Sequence, residues 1–254
     1  MTPTPVLRAT DLALWTGMAV YETLRSYDHL PFRMASHLDR LTRSAAWMGY
    51  SWNRDDVAAR LTELARADAP QKLNVLVTGE QCVVVAAPLD LARVGAPVRC
   101  ATTPLVQNPG LPAFVKHTSR APGELAARDA SQRFGEPVDE VIWRDERGCW
   151  TEANRSNLIA VRNGTLWTPA KDGRILEGVT RAWVLEAAHA CGVLTHEGDV
   201  SADQAWDELY LCSTLKELAP VARLDGRDAP GAGPLGRRIA AEMAGLRESA
   251  RPRF

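Results

Sequence analysis

The sequence predicts an α+β protein of two lobes, a small N-terminal α/β lobe and a larger C-terminal lobe of antiparallel strands with flanking helices. Short segments that alternate apolar and polar residues are mostly separated by tight turns, which is typical of hairpins. Segments with helical periodicity lie between them. Prolines and a glycine interrupt both patterns near residues 104–112, so we expect a linker there, between lobes at 1–103 and 113–254.

The N-terminal lobe is expected to combine strands and helices. Residues 17–35 predict two short strands joined by a turn. Ser36 is the expected N-cap of the helix that follows, and Gly49 stands where a helix commonly ends. A second helix is expected over 55–67, and then a hairpin over 72–89.

The C-terminal lobe is expected to be built around an antiparallel meander. Turn residues recur at short spacing between residues 138 and 169, which predicts four short strands. The other expected elements are a strand over 113–119, a helix over 122–135, a helix over 181–192, a strand over 208–214 and a closing helix over 235–248.

Composition excludes several classes of function. A formal net charge of -1 and a pI near 6.5 give no electrostatic basis for binding nucleic acid or an anionic membrane. The N-terminus lacks the pattern of a signal peptide, and no window approaches the roughly 20 apolar residues of a membrane span. The five cysteines include no CxxC pair, so we expect no metal site, no disulfide framework and a cytoplasmic protein.

Lysine is scarce, which narrows the search for chemistry that needs a primary amine. Of the 30 basic residues only four are lysines, and Lys116 alone follows an apolar run, AFV. A lysine that emerges from a buried strand is suited to imine formation. The same pattern also fits a strand-end lysine whose ammonium reaches solvent.

Two segments have the pattern of an anion site at a helix N-terminus. Gly178, Val179 and Thr180 precede a helix, with Thr180 as the expected N-cap, and Ser213 and Thr214 precede a second expected helix. Exposed amides and the positive end of the helix dipole attract a phosphate there. Each segment is also consistent with an ordinary helix cap.

Glu152 ends the predicted strand CWTE inside the meander. If its side chain faces the core it needs a cationic partner, because an unpaired buried carboxylate would become protonated instead. A protonated pyridine nitrogen is such a partner. A solvated glutamate at a strand edge is the alternative.

Five blocks, in order from about residue 15 to residue 226, resemble the class IV (fold type IV) enzymes that use pyridoxal 5'-phosphate (PLP). This family includes branched-chain aminotransferases, D-amino acid aminotransferases and 4-amino-4-deoxychorismate lyases. The blocks are GMAVYETLRSYDHLPFRMASHLDRLTRSAAWMG, TPLVQNPGLPAFVKHTSR, VDEVIWRDERGCWTEANRSNLIAVRNGTLWTP, ILEGVTRAWVLEAAHACGV and ELYLCSTLKELAPV.

The resemblance implies a role for each matching residue. Lys116 would hold PLP as a Schiff base and move the catalytic proton, and Glu152 would pair with the pyridine nitrogen. Arg40 would bind the phosphate bidentately. The other implied phosphate ligands are Val179, Thr180, Ser213 and Thr214. The implied substrate-binding residues are Tyr21, Thr23 and Arg25, which share a strand face by alternation.

Departures from the family pattern bear on the reaction. Ala121 stands where branched-chain enzymes have a tyrosine, and the loop VTGEQC lacks the Arg-x-His pair of the D-amino acid enzymes. Lys116 and His117 followed by Arg120 are closest to the lyases. The leading expectation is amino-group transfer between a small amino acid or primary amine and a 2-oxo acid. The alternative is 4-amino-4-deoxychorismate lyase, which releases pyruvate and 4-aminobenzoate.

Two further expectations come from the resemblance alone. The family's active site lies between two lobes and is completed by a loop of a second subunit, so a homodimer is implied. A PLP-binding relative without catalytic activity is a minor third alternative, because Ala121 and the loop VTGEQC depart from the pattern of active relatives.

Overall fold

The computed structural model describes residues 7–103 and 110–249 of the 254-residue chain. Backbone contacts group them into two units. The described part of the first unit comprises residues 7–91 and 111–120, and that of the second comprises 92–103, 110 and 121–249. Among the described helices, none has the length and apolar character needed to cross a bilayer.

The first unit is a small antiparallel sheet covered by helices. Its strands lie in the order β2-β1-β3-β4, and β1 pairs with β3 along nearly its whole length. Helices α2 and α3 pack against this sheet. In chain order the elements are α1 (Leu12–Thr16), β1 (Val20–Tyr27), β2 (Leu30–Pro31), α2 (Met34–Met48), α3 (Arg54–Ala65), β3 (Gln71–Val77) and β4 (Cys82–Pro88).

Strand alternation gives the sheet of the first unit one buried face. Val20 and Leu24 of β1 and Leu73 of β3 are fully buried in a cluster with Leu38 and Leu41 of α2. Burial of aliphatic side chains of this size contributes about 1.5–3 kcal/mol each. The intervening residues of β1 point to the opposite face, which is where the side chains with potential chemistry lie.

The second expected helix of the first unit is present as α3, and Asn53 caps it with a side chain that accepts from two backbone amides. Two other expected features are wrong in detail. Helix α2 begins at Met34 after Arg33, which has a positive φ of 50°, so Ser36 lies inside the helix and is not its N-cap. Residues 113–119 do not form a strand, and only a single bridge joins His117 to Val20. Hydrogen bonds to α2 and β1 hold this segment instead.

The second unit is built on a mixed sheet with the order β10-β9-β8-β12-β13-β5-β6-β7-β11 among its described strands. Strand β7 also pairs with β8, which closes a ring of pairings from β8 through β12, β13, β5 and β6 to β7. Most pairs are antiparallel, as the sequence predicts, but β5 is parallel to both β13 and β6. Helices α5 and α6 pack against β12 and against each other.

The elements of the second unit, in chain order, are β5 (Val98–Thr103), α4 (Ala121–Phe134), β6 (Glu140–Arg144), β7 (Cys149–Ala153), β8 (Asn157–Arg162), β9 (Thr165–Thr168), α5 (Val179–Ala190), β10 (Thr195–Glu197), β11 (Val200–Ser201), β12 (Glu208–Ser213), β13 (Glu217–Leu224), β14 (Arg227–Asp228) and α6 (Pro234–Ser249). The predicted meander corresponds to β6 through β9, which are antiparallel neighbours in sequence.

Two expected helix starts of the second unit are also wrong. The residue that caps α5 is Gly178, in an extended conformation, and Thr180 is already the second helical residue. Ser213 ends β12, and Thr214 begins a tight turn into β13 rather than a helix. Pairing of β12 with β13 takes up the backbone groups that a helix would have used.

The grouping into units differs from the expected lobes at two places. Residues 92–103 belong to the second unit, because β5 lies between β13 and β6. Residues 111–120 belong to the first unit, to which the backbone hydrogen bonds of residues 116 and 118 attach them. Residues 104–109 of the expected linker lie outside the described residues.

Candidate active site

The predicted site residues fall into two groups, one in each unit. The first unit contains Tyr21, Thr23, Arg25, Arg40 and Lys116. The second unit contains Glu152, Val179, Thr180, Ser213 and Thr214. Within each unit the structure shows which of these side chains meet.

Lys116 lies beside the N-terminal end of β1, in a segment that backbone hydrogen bonds hold in place. Its amide donates to Ser44 Oγ at 3.1 Å, and its carbonyl accepts from the Tyr21 amide at 3.0 Å. Two residues later, the Thr118 amide donates to the Ala19 carbonyl at 2.9 Å. The half-buried ammonium lies 4.7 Å from the centre of the Tyr21 ring, a cation–π contact.

Tyr21 is placed between two cations. Arg120 Nη1 donates to its phenol oxygen at 3.0 Å, and Lys116 lies over its ring. Burial by itself raises the pKa of Tyr21, but the charges of Lys116 and Arg120 and the hydrogen bond from Arg120 outweigh burial and lower that pKa below its ordinary value. This part of the unit is therefore a region of positive potential.

Thr23 and Arg25 make different contacts from Tyr21, although they lie on the same strand. Thr23 Oγ1 accepts from the side-chain amide of Asn74 at 2.9 Å. The buried guanidinium of Arg25 lies 4.1 Å from the centre of the Tyr27 ring. Tyr21, one of the three predicted substrate residues, is thus in direct contact with Lys116.

Arg40 belongs to a buried cluster of charged residues between α2 and β1. Its Nε and Nη2 donate to the two carboxylate oxygens of Glu22 at 2.7 and 2.8 Å, and His37 Nδ1 lies 2.8 Å from Glu22 Oε2. Burial opposes the charge of Glu22, but the Arg40 charge and the hydrogen bonds from Arg40 and His37 hold the pKa of Glu22 well below its usual range. Burial lowers the pKa of His37 despite the Glu22 carboxylate.

Glu152 is buried in the second unit, which excludes the alternative of a solvated strand-edge glutamate. Its Oε2 accepts from the side-chain amide of Asn157 and from the Leu176 amide, each at 3.0 Å. Asn157 is the β8 partner of Glu152 and also pairs with Cys212 of β12. Because Cys212 pairs with Asn157, the strand register places the next residue, Ser213, close to Asn157, which holds the Glu152 carboxylate.

The N-terminus of α5 leaves its first amides without a side-chain cap. Gly178 is extended, and a Cβ there would overlap Asn157 Oδ1. Val179 and Thr180 are buried, and no hydrogen-bond partner for the Thr180 hydroxyl is found in the part of the chain that the structure describes. Amides at such a helix end attract anions.

An ion pair holds the turn between β12 and β13 in place. Lys216 closes the turn with a backbone hydrogen bond to Ser213, and its ammonium pairs with the fully buried carboxylate of Glu140. Ser156 Oγ also donates to Glu140, at 2.9 Å. Within the described ranges the hydroxyls of Ser213 and Thr214 have no hydrogen-bond partner, so both remain donors for a ligand.

Sequence reasoning missed several residues that position the others. Asn157 has no recognisable signal, because its importance depends on its side chain meeting the backbone of another element. Gly178 is predicted from the sequence only as part of a helix start, and its close approach to Asn157 has no signal there. Glu22 and His37 also went unnoticed, although a glutamate on the apolar face of a strand is itself a signal for a buried partner. Glu140 has the same pattern in β6.

We expect Gly178→Ala to destabilise the protein by about 1–3 kcal/mol, the usual cost of overpacking. The backbone of Gly178 suits any residue, so the cost arises because Asn157, which supports Glu152, must move. Urea unfolding of the two proteins measures it. Gly245→Ala in α6 is the matched control, since nothing surrounds that position and alanine favours a helix. Equal stability of Gly178→Ala and the parent protein would contradict the prediction.

The chain is similar in sequence to several known proteins. A family model of class IV aminotransferases matches residues 19–224 of the chain. A probable branched-chain-amino-acid aminotransferase of Thermotoga maritima is 29% identical over 217 residues, which cover 82% of this chain and 77% of that protein. A D-alanine aminotransferase of Listeria monocytogenes serotype 4b is 28% identical over 237 residues, which cover 83% and 79%.

Solved structures show the same architecture. A hypothetical aminotransferase from Mycobacterium tuberculosis in its PLP-bound form has a TM-score of 0.82 at 25% identity, covering 99% of this chain and 96% of that one. A protein of Legionella pneumophila, provisionally named 4-amino-4-deoxychorismate lyase, has a TM-score of 0.81 at 20% identity, covering 98% and 97%. The second likeness concerns the fold alone.

Proposed function

Because the chain belongs to the class IV aminotransferases and has their fold, we propose that it is a PLP-dependent transaminase that moves an amino group between a small amino acid or primary amine and a 2-oxo acid. The observation that carries the proposal is the placement of Lys116. The backbone N–H and carbonyl of Lys116 are both hydrogen-bonded, and its amine lies against the Tyr21 ring. Such fixed placement is what an amine needs to act as a covalent catalyst.

The donors in the second unit fit a phosphate. They are the uncapped amides at the start of α5 and three hydroxyls without partners in the described residues. In our proposal Val179, Thr180, Ser213 and Thr214 hold the phosphate group of PLP. Arg40, which the resemblance also implies as a phosphate ligand, would join them with a guanidinium whose Nε and Nη2 also donate to Glu22.

PLP, when bound, supplies an electron sink for the electron pair released at the substrate Cα. In our proposal the remaining work is done by two residues. Lys116 would hold the cofactor covalently until the substrate amine takes its place, and its freed amine would then accept and return the Cα proton. Glu152, held by Asn157 and Leu176, would accept a hydrogen bond from the pyridine nitrogen and keep it protonated.

Elimination of pyruvate from 4-amino-4-deoxychorismate is the second candidate. It is favoured by the run from Lys116 to Arg120, which resembles the lyases. A PLP-binding protein without activity is the remaining alternative. We also propose a homodimer, as the resemblance implies, and a cytoplasmic location, as the scattered cysteines of the sequence suggest.

Single-turnover spectroscopy tests the proposed function. With PLP bound and D-alanine or L-leucine added, a transaminase should lose its visible absorption, and a 2-oxo acid should restore it. Release of pyruvate from 4-amino-4-deoxychorismate without an amino acceptor would identify the lyase instead. A protein that binds PLP, responds to no amine in a broad panel and releases no pyruvate from 4-amino-4-deoxychorismate would contradict both activities.

A further inference from the structure

Arg120 contacts the same tyrosine as Lys116 and is held in place by its backbone. The Arg120 amide donates to the Thr118 carbonyl at 2.8 Å, which turns the chain back toward β1. Its guanidinium reaches the Tyr21 hydroxyl at 3.0 Å and lies 5.9 Å from the centre of that ring. Arg120 and Lys116 therefore both act on Tyr21.

The Tyr21 hydroxyl is left with a hydrogen to donate. Its oxygen accepts from Arg120, and no acceptor for its own hydrogen is found among the described residues. The positive potential that lowers the pKa of Tyr21 would also stabilise any other anion placed there. An anion at this point would receive one hydrogen bond from a phenol and others from a guanidinium.

Tyr21 and Arg120 line a cavity of about 510 Å³ in the first unit. This volume suits a small-molecule ligand. Arg120 is the one charged residue among the described residues that line it, and Asn74 and Thr118 add polar groups. The rest of the lining is apolar: Leu7, Val75, Leu76, Val83 and Val85.

We propose that Arg120 is the specificity-determining residue of the substrate site, binding the carboxylate of an apolar amino acid or 2-oxo acid together with the Tyr21 hydroxyl. Guanidinium groups match carboxylates in both charge and geometry. The hydrocarbon part of the substrate would contact the aliphatic side chains of β3 and β4. This inference rests on the proposed function and adds to it a preference for substrates with a carboxylate over simple amines.

The first test measures binding without turnover. The holoenzyme is titrated by calorimetry with 4-methylvalerate, a carboxylate that has no amino group to react. We expect Arg120→Gln to weaken binding about 10- to 100-fold, the loss that removal of hydrogen bonds to a charged group produces. Arg120→Lys should recover part of the affinity. Arg128→Gln, at an exposed position of α4, should bind as the parent does.

The second test compares two amino donors that differ by the carboxylate. Arg120→Gln should raise KM for 2-aminobutyrate while the half-reaction with 2-aminobutane keeps its rate. Equal losses with both donors would indicate a structural role and overturn the inference, as would a parent protein that does not bind 4-methylvalerate. Unchanged binding and KM in Arg120→Gln would also overturn it.

The two tests separate this inference from the proposed function. If the parent protein reacts with no amine, the proposed function fails. The carboxylate titration needs no turnover and still decides whether Arg120 binds an anion. If the parent reacts and Arg120→Gln behaves like it, the transaminase stands and Arg120 has no part in specificity.

Discussion

Lys116→Ala is expected to abolish the stable visible absorption that PLP confers on the protein and to reduce the half-reaction by at least about 10²- to 10⁴-fold. The amine is the group that would bond to the cofactor, and alanine offers no replacement. The anchors of the segment are backbone groups, which alanine retains. The variant should therefore fold normally and lose only covalent binding of PLP and the half-reaction.

The measurement is an absorption spectrum after dialysis against buffer without PLP, followed by single-turnover kinetics. Lys171→Ala is the matched control, because that lysine lies in an exposed turn. It should keep both the absorption and the rate. Visible absorption that survives dialysis in Lys116→Ala would mean that another amine holds the cofactor, and the assignment of Lys116 would be wrong.

Glu22→Ala is expected to lower the free energy of unfolding by about 3–5 kcal/mol, the cost of leaving a buried charge without its partner. Glu22 is fully buried and accepts two hydrogen bonds from Arg40. Without it, the Arg40 guanidinium stays in the same buried place and loses its countercharge. Removing Glu22 should lower the free energy of unfolding several times as much as removing an ordinary surface carboxylate.

Urea unfolding of the two proteins measures this loss, and Glu63→Ala provides the control. Glu63 pairs with Arg60 on the exposed side of α3, and such surface pairs contribute about 0–1 kcal/mol. If Glu22→Ala lost no more stability than Glu63→Ala, the buried cluster would not stabilise the first unit.

The same pair of proteins should differ in their response to acid. The pKa of Glu22 is depressed in the folded protein relative to its ordinary value of 4.5. Its contribution is therefore fully present above that value and is lost as pH falls toward the folded pKa. The stability gap between the parent protein and Glu22→Ala should accordingly narrow as the pH falls below 4.5. A gap independent of pH in this range would show that the carboxylate charge does not matter.

The chemical type of the residues in the candidate site was predictable from the sequence. Lys116 stands out because lysines are few, and Glu152 because it ends a strand inside a meander. The helices α2 and α5, the hairpin of β3 and β4, and the meander follow from local periodicity, which depends on neighbours a few residues apart. Local patterns sufficed wherever the deciding contacts were also local.

The tertiary structure alone decided what those residues contact. Ser213 and Thr214 have the pattern of a helix cap, yet pairing between β12 and β13 makes that stretch a hairpin turn. Glu22 and Arg40 are 18 residues apart, and Tyr21 and Arg120 are 99 apart. Contacts at such separations form only after strands and helices pack together. Composition and periodicity carry no record of them, because the strength of each contact depends on burial, which removes the water that would screen the charges.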